Sequence, residues 1–112
     1  MKVVTAVIKP HKLDDVKQAL SAYGVKGLTV TEATGYGRQK GKTEVYRGTE
    51  YTVDLLPKTR VEVLCESYDA EDVATVIMTA ARTGRIGDGK VWITSVDRMY
   101  RIRTGEIDDE AL

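Results

Sequence analysis

The strongest chemical signal in the sequence is the glycine-rich run TGRIGDGK, residues Thr83 to Lys90. Glycines let backbone N–H groups approach an anion closely, and the lysine adds positive charge. Residues 84–90 match the G-x-x-x-x-G-K part of a phosphate-binding P-loop, but Val91 stands where a Ser or Thr would hold magnesium. A turn that ends a helix explains the same residues, so both interpretations stay open at this point.

Basic residues are concentrated next to this run. Residues 82–103 include six basic and two acidic side chains, whereas the whole chain balances 17 basic against 17 acidic residues. Arg101 and Arg103 are two apart, so an extended backbone would point both to the same side. Arginine forks and backbone donors suit polyphosphates, and the cluster therefore favours a polyphosphate site. The alternative is a solvated strand edge whose charge is offset by the acidic tail, residues 104–112.

Composition argues against several other classes of function. The chain has 112 residues, 42% hydrophobic and 30% charged, which suits one globular domain. Because its net charge is zero, direct binding of nucleic acid is not expected. Cys65 and His11 are the single residues of their types and lack nearby metal-ligand partners, so we expect a cytosolic chain without structural zinc and with a buried Cys65. The apolar runs are too short for a signal peptide or membrane insertion.

Hydrophobic periodicity predicts the elements that must position these residues. Strands are predicted at residues 3–8, 28–34, 60–67 and 91–96, and helices at residues 12–23 and 69–81. Gly24 and Gly84 stand where helices usually end, and Asp69 is the predicted N-cap of the second helix. This order predicts an α+β fold of the ferredoxin-like split βαβ type (βαββαβ), with two helices on one face of an antiparallel sheet.

The first predicted strand is mostly apolar on both of its faces. Two helices on one side of the sheet would cover only one of them. Because burial of each apolar side chain contributes roughly 1.5–3 kcal/mol, we expect a partner subunit to cover the second face.

The interval between residues 35 and 58, GYGRQKGKTEVYRGTEYTVDLLPK, is unusually long for a connection in a small domain. It contains four glycines and has no sustained helical face, which predicts a mobile loop at about residues 37–55. The alternative is that the two flanking strands extend into a tall hairpin over part of the interval.

Three separated motifs closely resemble those of the PII nitrogen-regulatory signal-transduction proteins. They are TGYGRQKGKTEVYRGTEY at residues 34–51, TGRIGDGK at 83–90 and RIRTGE at 101–106, and the resemblance covers essentially the whole chain as a single domain. It implies a homotrimer of ferredoxin-like subunits that binds ATP or ADP in clefts between subunits. It also implies magnesium and 2-oxoglutarate as further effector ligands.

The resemblance further implies roles for individual residues. Arg38 would reach the phosphates from the base of the loop, while Thr29 and Leu64 would line the base and ribose region. Gln39 would complete a magnesium shell shared with ATP and 2-oxoglutarate, and Lys58 would pair with a carboxylate of that acid. The implied nucleotide-binding set is Thr29, Gly35, Gly37, Arg38, Leu64, Gly87, Asp88, Gly89, Lys90, Arg101 and Arg103. The implied 2-oxoglutarate-binding set is Gln39, Lys40, Gly41 and Lys58.

In proteins of this family the long loop is the segment that acts on other proteins. It contacts ammonium transporters or nitrogen-assimilation enzymes and regulators, so the resemblance implies a cytoplasmic protein that a transporter recruits to the inner face of the membrane. Tyr51 is where many members are modified by a nucleotidyltransferase, by uridylyl or adenylyl transfer. Some relatives carry a phosphorylated serine two positions earlier, where this chain has Thr49, and this difference favours Tyr51.

Two other classes of protein compete with a regulatory binding protein. One is a small nucleotide-dependent phosphotransferase or hydrolase on the same fold, which would use the basic cluster to stabilise a transferring phosphate. The sequence offers that reaction no evident nucleophile or base, and we expect no catalytic residues. The other is a trimeric metal-tolerance-type protein, for which one histidine and one cysteine make a poor ligand set.

Overall fold

A computed structural model describes residues 1–37, 42–46, 49–53 and 55–112, with the backbone alone for 42–46 and 49–53. Its strands are β1 (Lys2–Ile8), β2 (Thr29–Gly35), β3 (Lys42–Tyr46), β4 (Thr49–Val53), β5 (Leu56–Cys65) and β6 (Lys90–Ser95). Its helices are α1 (Leu13–Tyr23) and α2 (Ala70–Ala81), with short 3-10 turns at Pro10–Lys12, Ser67–Asp69 and Asp108–Ala111. The principal sheet is antiparallel in the order β2-β5-β1-β6, which confirms the α+β ferredoxin-like prediction.

The core lies between this sheet and the two helices. β5 alternates between buried odd-numbered and more exposed even-numbered residues from Thr59 to Cys65, because successive side chains point to opposite faces. Its odd-numbered residues pack with one face of β1 and with the apolar stripes of both helices. The buried hydrophobic residues are Val4, Ala6, Ile8, Val16, Leu20, Val61, Val63, Cys65, Ala70, Val73, Ile77 and Ala81. The predicted burial of Cys65 is therefore confirmed.

The face of the sheet away from the helices remains partly open in a single chain. Trp92 is 41% exposed there and Leu64 51%, although both belong to strands of the sheet. The guanidinium of Arg60 lies 5.8 Å from the centre of the Trp92 ring, a cation–π distance, and its Nε lies 3.2 Å from a carboxylate oxygen of Glu62. The sequence-based expectation of an uncovered, partly apolar second face thus describes this chain correctly.

Part of the long interval between β2 and β5 is regular structure. β3 and β4 pair antiparallel in a sheet of their own, with Glu44 opposite Tyr51, and β5 begins at Leu56 instead of residue 60. The structure therefore agrees with the alternative of a hairpin over part of the interval, although β3 and β4 form a sheet separate from the one that β5 joins. The β-branched and tyrosine residues of these segments favour strands, but glycines and charges on either side conceal the alternation.

The end of the first helix and the N-cap position of Asp69 are as predicted, whereas the predicted end of α2 at Gly84 needs correction. Gly24 adopts φ +114° and its N–H donates to the carbonyls of Leu20 and Ser21, as in a glycine-terminated helix. α2 ends at Ala81, three residues before Gly84, because the backbone is already extended at Arg82, with φ −71° and ψ 128°. Asp69 occupies the N-cap position of α2 but makes no side-chain capping bond.

The Asp69 carboxylate instead joins the two helices. The Tyr23 hydroxyl donates to Asp69 Oδ1 at 2.8 Å and lies 3.4 Å from Asp72 Oδ2. The hydrogen bond to Asp69 is the largest cause that raises the pKa of Tyr23 to about 12. Tyr23 therefore keeps its proton in the folded protein to higher pH than an ordinary tyrosine.

Tyr23→Phe is expected to flatten the dependence of folding stability on alkaline pH. A raised folded-state pKa contributes stability that is fully present below the ordinary tyrosine pKa of 10.0 and is lost as pH rises to about 12. The free energy of unfolding of the wild type should therefore fall more steeply with pH in this window than that of Tyr23→Phe. Urea titrations of both proteins across the window measure the difference, and parallel pH curves would contradict the assigned pKa shift.

Candidate functional site

Residues 82–89, called the glycine loop below, connect α2 to β6. Gly84, Gly87 and Gly89 adopt positive φ angles of 84°, 96° and 97°, which favour glycine. At Gly89 the reason is also steric, because a Cβ atom would lie 1.7 Å from the carbonyl oxygen of Val7. The loop therefore lies directly against the backbone of β1. The connection runs from a helix into a strand, the reverse of a P-loop, as the sequence analysis predicted.

The carboxylate of Asp88 organises the loop from inside. Oδ2 accepts hydrogen bonds from the backbone N–H groups of Thr83 at 2.8 Å and Gly84 at 2.9 Å, and Oδ1 accepts one from the Thr83 hydroxyl. These bonds, the Thr83 hydroxyl first among them, hold the pKa of Asp88 well below its usual range. Asp88 is therefore an ionised part of the loop framework.

Two lysines attach the glycine loop to the sheet. Lys9, one residue beyond β1, places its ammonium 3.3 Å from Asp88 Oδ1. Lys58, from β5, donates to the Gly87 carbonyl at 3.0 Å. Burial lowers the pKa of Lys58, and the neighbouring charge of Lys9 lowers it further. The result is a local excess of positive charge around one carboxylate and several glycine backbone groups.

Gly35, at the end of β2, makes room for the Lys58 side chain. A Cβ atom at Gly35 would lie 3.3 Å from Lys58 Cγ, which is tighter than ordinary van der Waals contact. Lys90, the first residue of β6, follows the loop directly and is exposed. The structure thus assembles one group of the sequence-predicted residues at this end of the sheet: Gly35, Lys58, Gly87, Asp88, Gly89 and Lys90.

A second group lies at the other end of β5. Thr29 and Leu64 both line a groove of about 890 Å³. Leu28, Glu62 and Leu112 line it as well. Leu64 lies six residues from Lys58 along β5, which is about 20 Å at the rise of a strand. In one chain the groove and the glycine loop are therefore two separate surfaces.

Arg101 and Arg103 lie in a C-terminal turn. The Gly105 N–H donates to the Arg101 carbonyl at 2.8 Å, and the Arg101 guanidinium donates to the Leu112 carbonyl at 2.7 Å and lies 3.7 Å from Glu106. Arg103 is exposed. The expectation that an extended backbone points both guanidiniums to one side is wrong, because Gly105 with φ +83° closes a turn here.

Several predicted site residues lie outside this geometry. Gly37 is exposed in a bend after β2. Arg38, Gln39, Lys40 and Gly41 lie outside the described residues, and so does the side chain of Tyr51. Conversely, sequence reasoning did not select Lys9 or Thr83 as site residues. Their only sequence signals are that Lys9 precedes Pro10 and that Thr83 begins the glycine-rich run. Their contacts with Asp88 arise from the fold.

Within the described ranges, no three His, Cys, Asp or Glu side chains are grouped so that they could hold a metal ion. None of the helices in those ranges is long and apolar enough to cross a membrane.

The fold is a small α+β domain in which the glycine loop and two lysine ammonium groups lie together at one end of the sheet. Comparison with known proteins identifies its family. Residues 1–106 match the family model described as nitrogen regulatory protein P-II. The chain is 56% identical to nitrogen regulatory protein P-II of Rhizobium etli and of Azospirillum brasilense, and 52% identical to nitrogen regulatory protein GlnK of Escherichia coli K12, over the full length of both chains in each case. The chain belongs to the P-II family of nitrogen regulatory proteins.

Proposed function

We propose that this protein is a nitrogen-regulatory signal transducer that senses ATP or ADP together with 2-oxoglutarate. The observation that carries the proposal is the glycine loop, where backbone groups with positive φ, the ammonium of Lys58 and the ammonium of Lys9 converge. Backbone donors and ammonium groups in this arrangement suit phosphate and carboxylate oxygens. The protein binds its effectors and performs no reaction on them.

The nucleotide is proposed to lie between subunits of a homotrimer. Its phosphates would bind Gly87, Gly89 and Lys90, with Arg38 at the base of the loop, and its base would enter the groove beside Thr29 and Leu64 of a neighbouring copy. The separation of about 20 Å between Lys58 and Leu64 along β5 supports this arrangement, because two surfaces distant in one chain can adjoin between copies. The partly open sheet face around Trp92 supports association as well. Gly35, Gly37, Asp88, Arg101 and Arg103 complete the proposed nucleotide site.

The proposed 2-oxoglutarate site is centred on Lys58. Its ammonium is partly buried, so a charged hydrogen bond to a carboxylate there is poorly screened. Gln39, Lys40 and Gly41 would complete the site, with Gln39 also a ligand of magnesium held by ATP. Magnesium would supply charge neutralisation between the phosphates and the acid.

The output is proposed to be the loop at about residues 37–55. Its shape would differ between the ATP and 2-oxoglutarate state and the ADP state, and each shape would suit different partners. The proposed partners are ammonium transporters and nitrogen-assimilation enzymes or regulators, met in the cytoplasm or at the inner membrane face. A nucleotidyltransferase acting on Tyr51 would add bulk and negative charge to this surface.

Calorimetric titration with 2-oxoglutarate tests the proposal, with Mg-ATP, Mg-ADP or no nucleotide present. Binding in the Mg-ATP titration alone is the expected result, since ATP and its metal form part of the acid site. Light scattering on the same samples should give the mass of three chains. Acid binding independent of nucleotide, or no nucleotide binding at all, would contradict the coupled sensor, and release of inorganic phosphate at enzymatic rates would favour the hydrolase.

Lys90→Ala is expected to weaken ATP and ADP alike. Lys90 begins β6 next to Gly89, and loss of one charged hydrogen bond costs about 1.5–3 kcal/mol of binding free energy. Titration of each nucleotide into the variant measures the loss. Lys17→Ala, on the exposed surface of α1, is the matched control and should bind both nucleotides as the wild type does. An unchanged affinity in Lys90→Ala would remove Lys90 from the site.

A further inference from the structure

We infer that Lys9 and Thr83 are positioning residues, which neutralise and orient the Asp88 carboxylate so that the glycine loop accepts anionic ligands. The inference rests on the proposed function, because it concerns the same site. Lys9, one residue beyond β1, and Thr83, near the start of the loop, converge on the Asp88 carboxylate.

The Thr83 hydroxyl is the centre of this arrangement. It accepts hydrogen bonds from the Lys9 ammonium at 3.3 Å and from the Arg85 N–H at 3.2 Å, and it donates to Asp88. A hydroxyl has one proton to donate and two lone pairs to accept, so its capacity is filled. Asp88 is thereby held to the loop backbone on one oxygen and to Thr83 and Lys9 on the other.

The position of Lys9 follows from the local sequence. The residue before a proline is restricted to extended backbone, and Lys9 adopts φ −64° and ψ 136° before Pro10. Its side chain is only 12% exposed and that of Asp88 23%. The pair is therefore partly shielded from solvent, and removal of either charge would leave the other poorly screened.

The ion pair of Lys9 with Asp88 bears on ligand binding because Asp88 is negatively charged. A carboxylate inside a loop that is proposed to bind phosphates repels its ligand, unless a cation neutralises it. Lys58 bonds the carbonyl of Gly87, whereas Lys9 makes the 3.3 Å ion pair with Asp88. Lys9 is therefore proposed to act on the ligand through Asp88 and not by direct contact.

A double-mutant cycle distinguishes action of Lys9 through Asp88 from direct contact of Lys9 with the ligand. Calorimetry with ADP and with Mg-ATP compares the wild type, Lys9→Met, Asp88→Asn and the double variant. Lys9→Met removes the ammonium that pairs with Asp88 and should weaken ADP by roughly tenfold, and ATP by more. The double variant removes both charges and should recover to within roughly threefold of Asp88→Asn alone. Lys9→Arg keeps the charge and should bind like the wild type.

The outcomes distinguish the inference from its alternatives. A double variant as weak as Lys9→Met would mean that Lys9 contacts the ligand directly, and full affinity in Lys9→Met would mean that Lys9 has no role. If Lys9→Met does not fold, as thermal melting would reveal, the double variant decides in the same way. Lys17→Met is the control for loss of a surface lysine. Failure of the wild type to bind either nucleotide would overturn the proposed function instead, before any variant is compared.

Discussion

Gly89→Ala is expected to displace the glycine loop and to abolish measurable nucleotide binding at ligand concentrations that saturate the wild type. A Cβ atom there would lie 1.7 Å from the Val7 carbonyl oxygen and 2.8 Å from its carbon, and both are backbone atoms of a central strand. Strand β1 is paired on both sides and cannot retreat, so the loop must move. Losing two or more backbone or charged hydrogen bonds to phosphate costs about 3 kcal/mol or more, which is at least ~100-fold in affinity.

Gly84→Ala provides the matched control. Gly84 also has a positive φ, +84°, but a Cβ atom there meets nothing within 4 Å. Its backbone conformation alone costs about 1–2 kcal/mol of stability, and the loop need not leave β1. Both variants are compared by thermal melting and by titration with ADP. Equal nucleotide affinity in the two variants would show that the contact between Gly89 and Val7 does not position the site.

Lys58→Met is expected to remove 2-oxoglutarate binding with less effect on ADP. The partly buried Lys58 ammonium is proposed to bind a carboxylate of 2-oxoglutarate. Loss of one such charged hydrogen bond costs about 1.5–3 kcal/mol, or roughly 10- to 150-fold in affinity. ADP affinity should fall less, because the variant deprives the loop of one bond to the Gly87 carbonyl and leaves the ion pair of Lys9 with Asp88 in place.

The pH dependence of acid binding gives Lys58 a second test. Burial, with the charge of Lys9, lowers the pKa of Lys58. The ammonium is the form that binds a carboxylate, so affinity for 2-oxoglutarate in the presence of Mg-ATP should decline with rising pH below the ordinary lysine range. Titrations at increasing pH measure the decline. Equal losses of acid and ADP in Lys58→Met would instead assign Lys58 to the framework of the loop, and Lys17→Met again serves as control.

Local sequence signals determined the secondary elements and their order. The β-branched run before Pro10, the apolar spacing of α1 and the glycine at position 24 act within one turn or one strand. The proline and glycine effects are steric and local, and the apolar spacing repeats with the helical turn, so the residues themselves predict these elements. The two apolar faces of β1 likewise predict the partly open face of the sheet. Motifs covering most of the chain indicated the P-II family, and the comparisons confirm it.

Contacts between distant residues were decided only by the tertiary structure. Lys9 contacts Asp88 and Lys58 contacts Gly87 because the pairing of β1 with β5 and β6 brings the ends of these strands together at one end of the sheet. At Arg101 the turn closed by Gly105, together with bonds to Glu106 and Leu112, replaces the extended backbone that the spacing suggested. The Asp69 carboxylate accepts a hydrogen bond from Tyr23 of α1 and makes no capping bond to the N-terminus of α2. Spacing along the chain determines which face a residue occupies, whereas the packing of elements determines which charges meet.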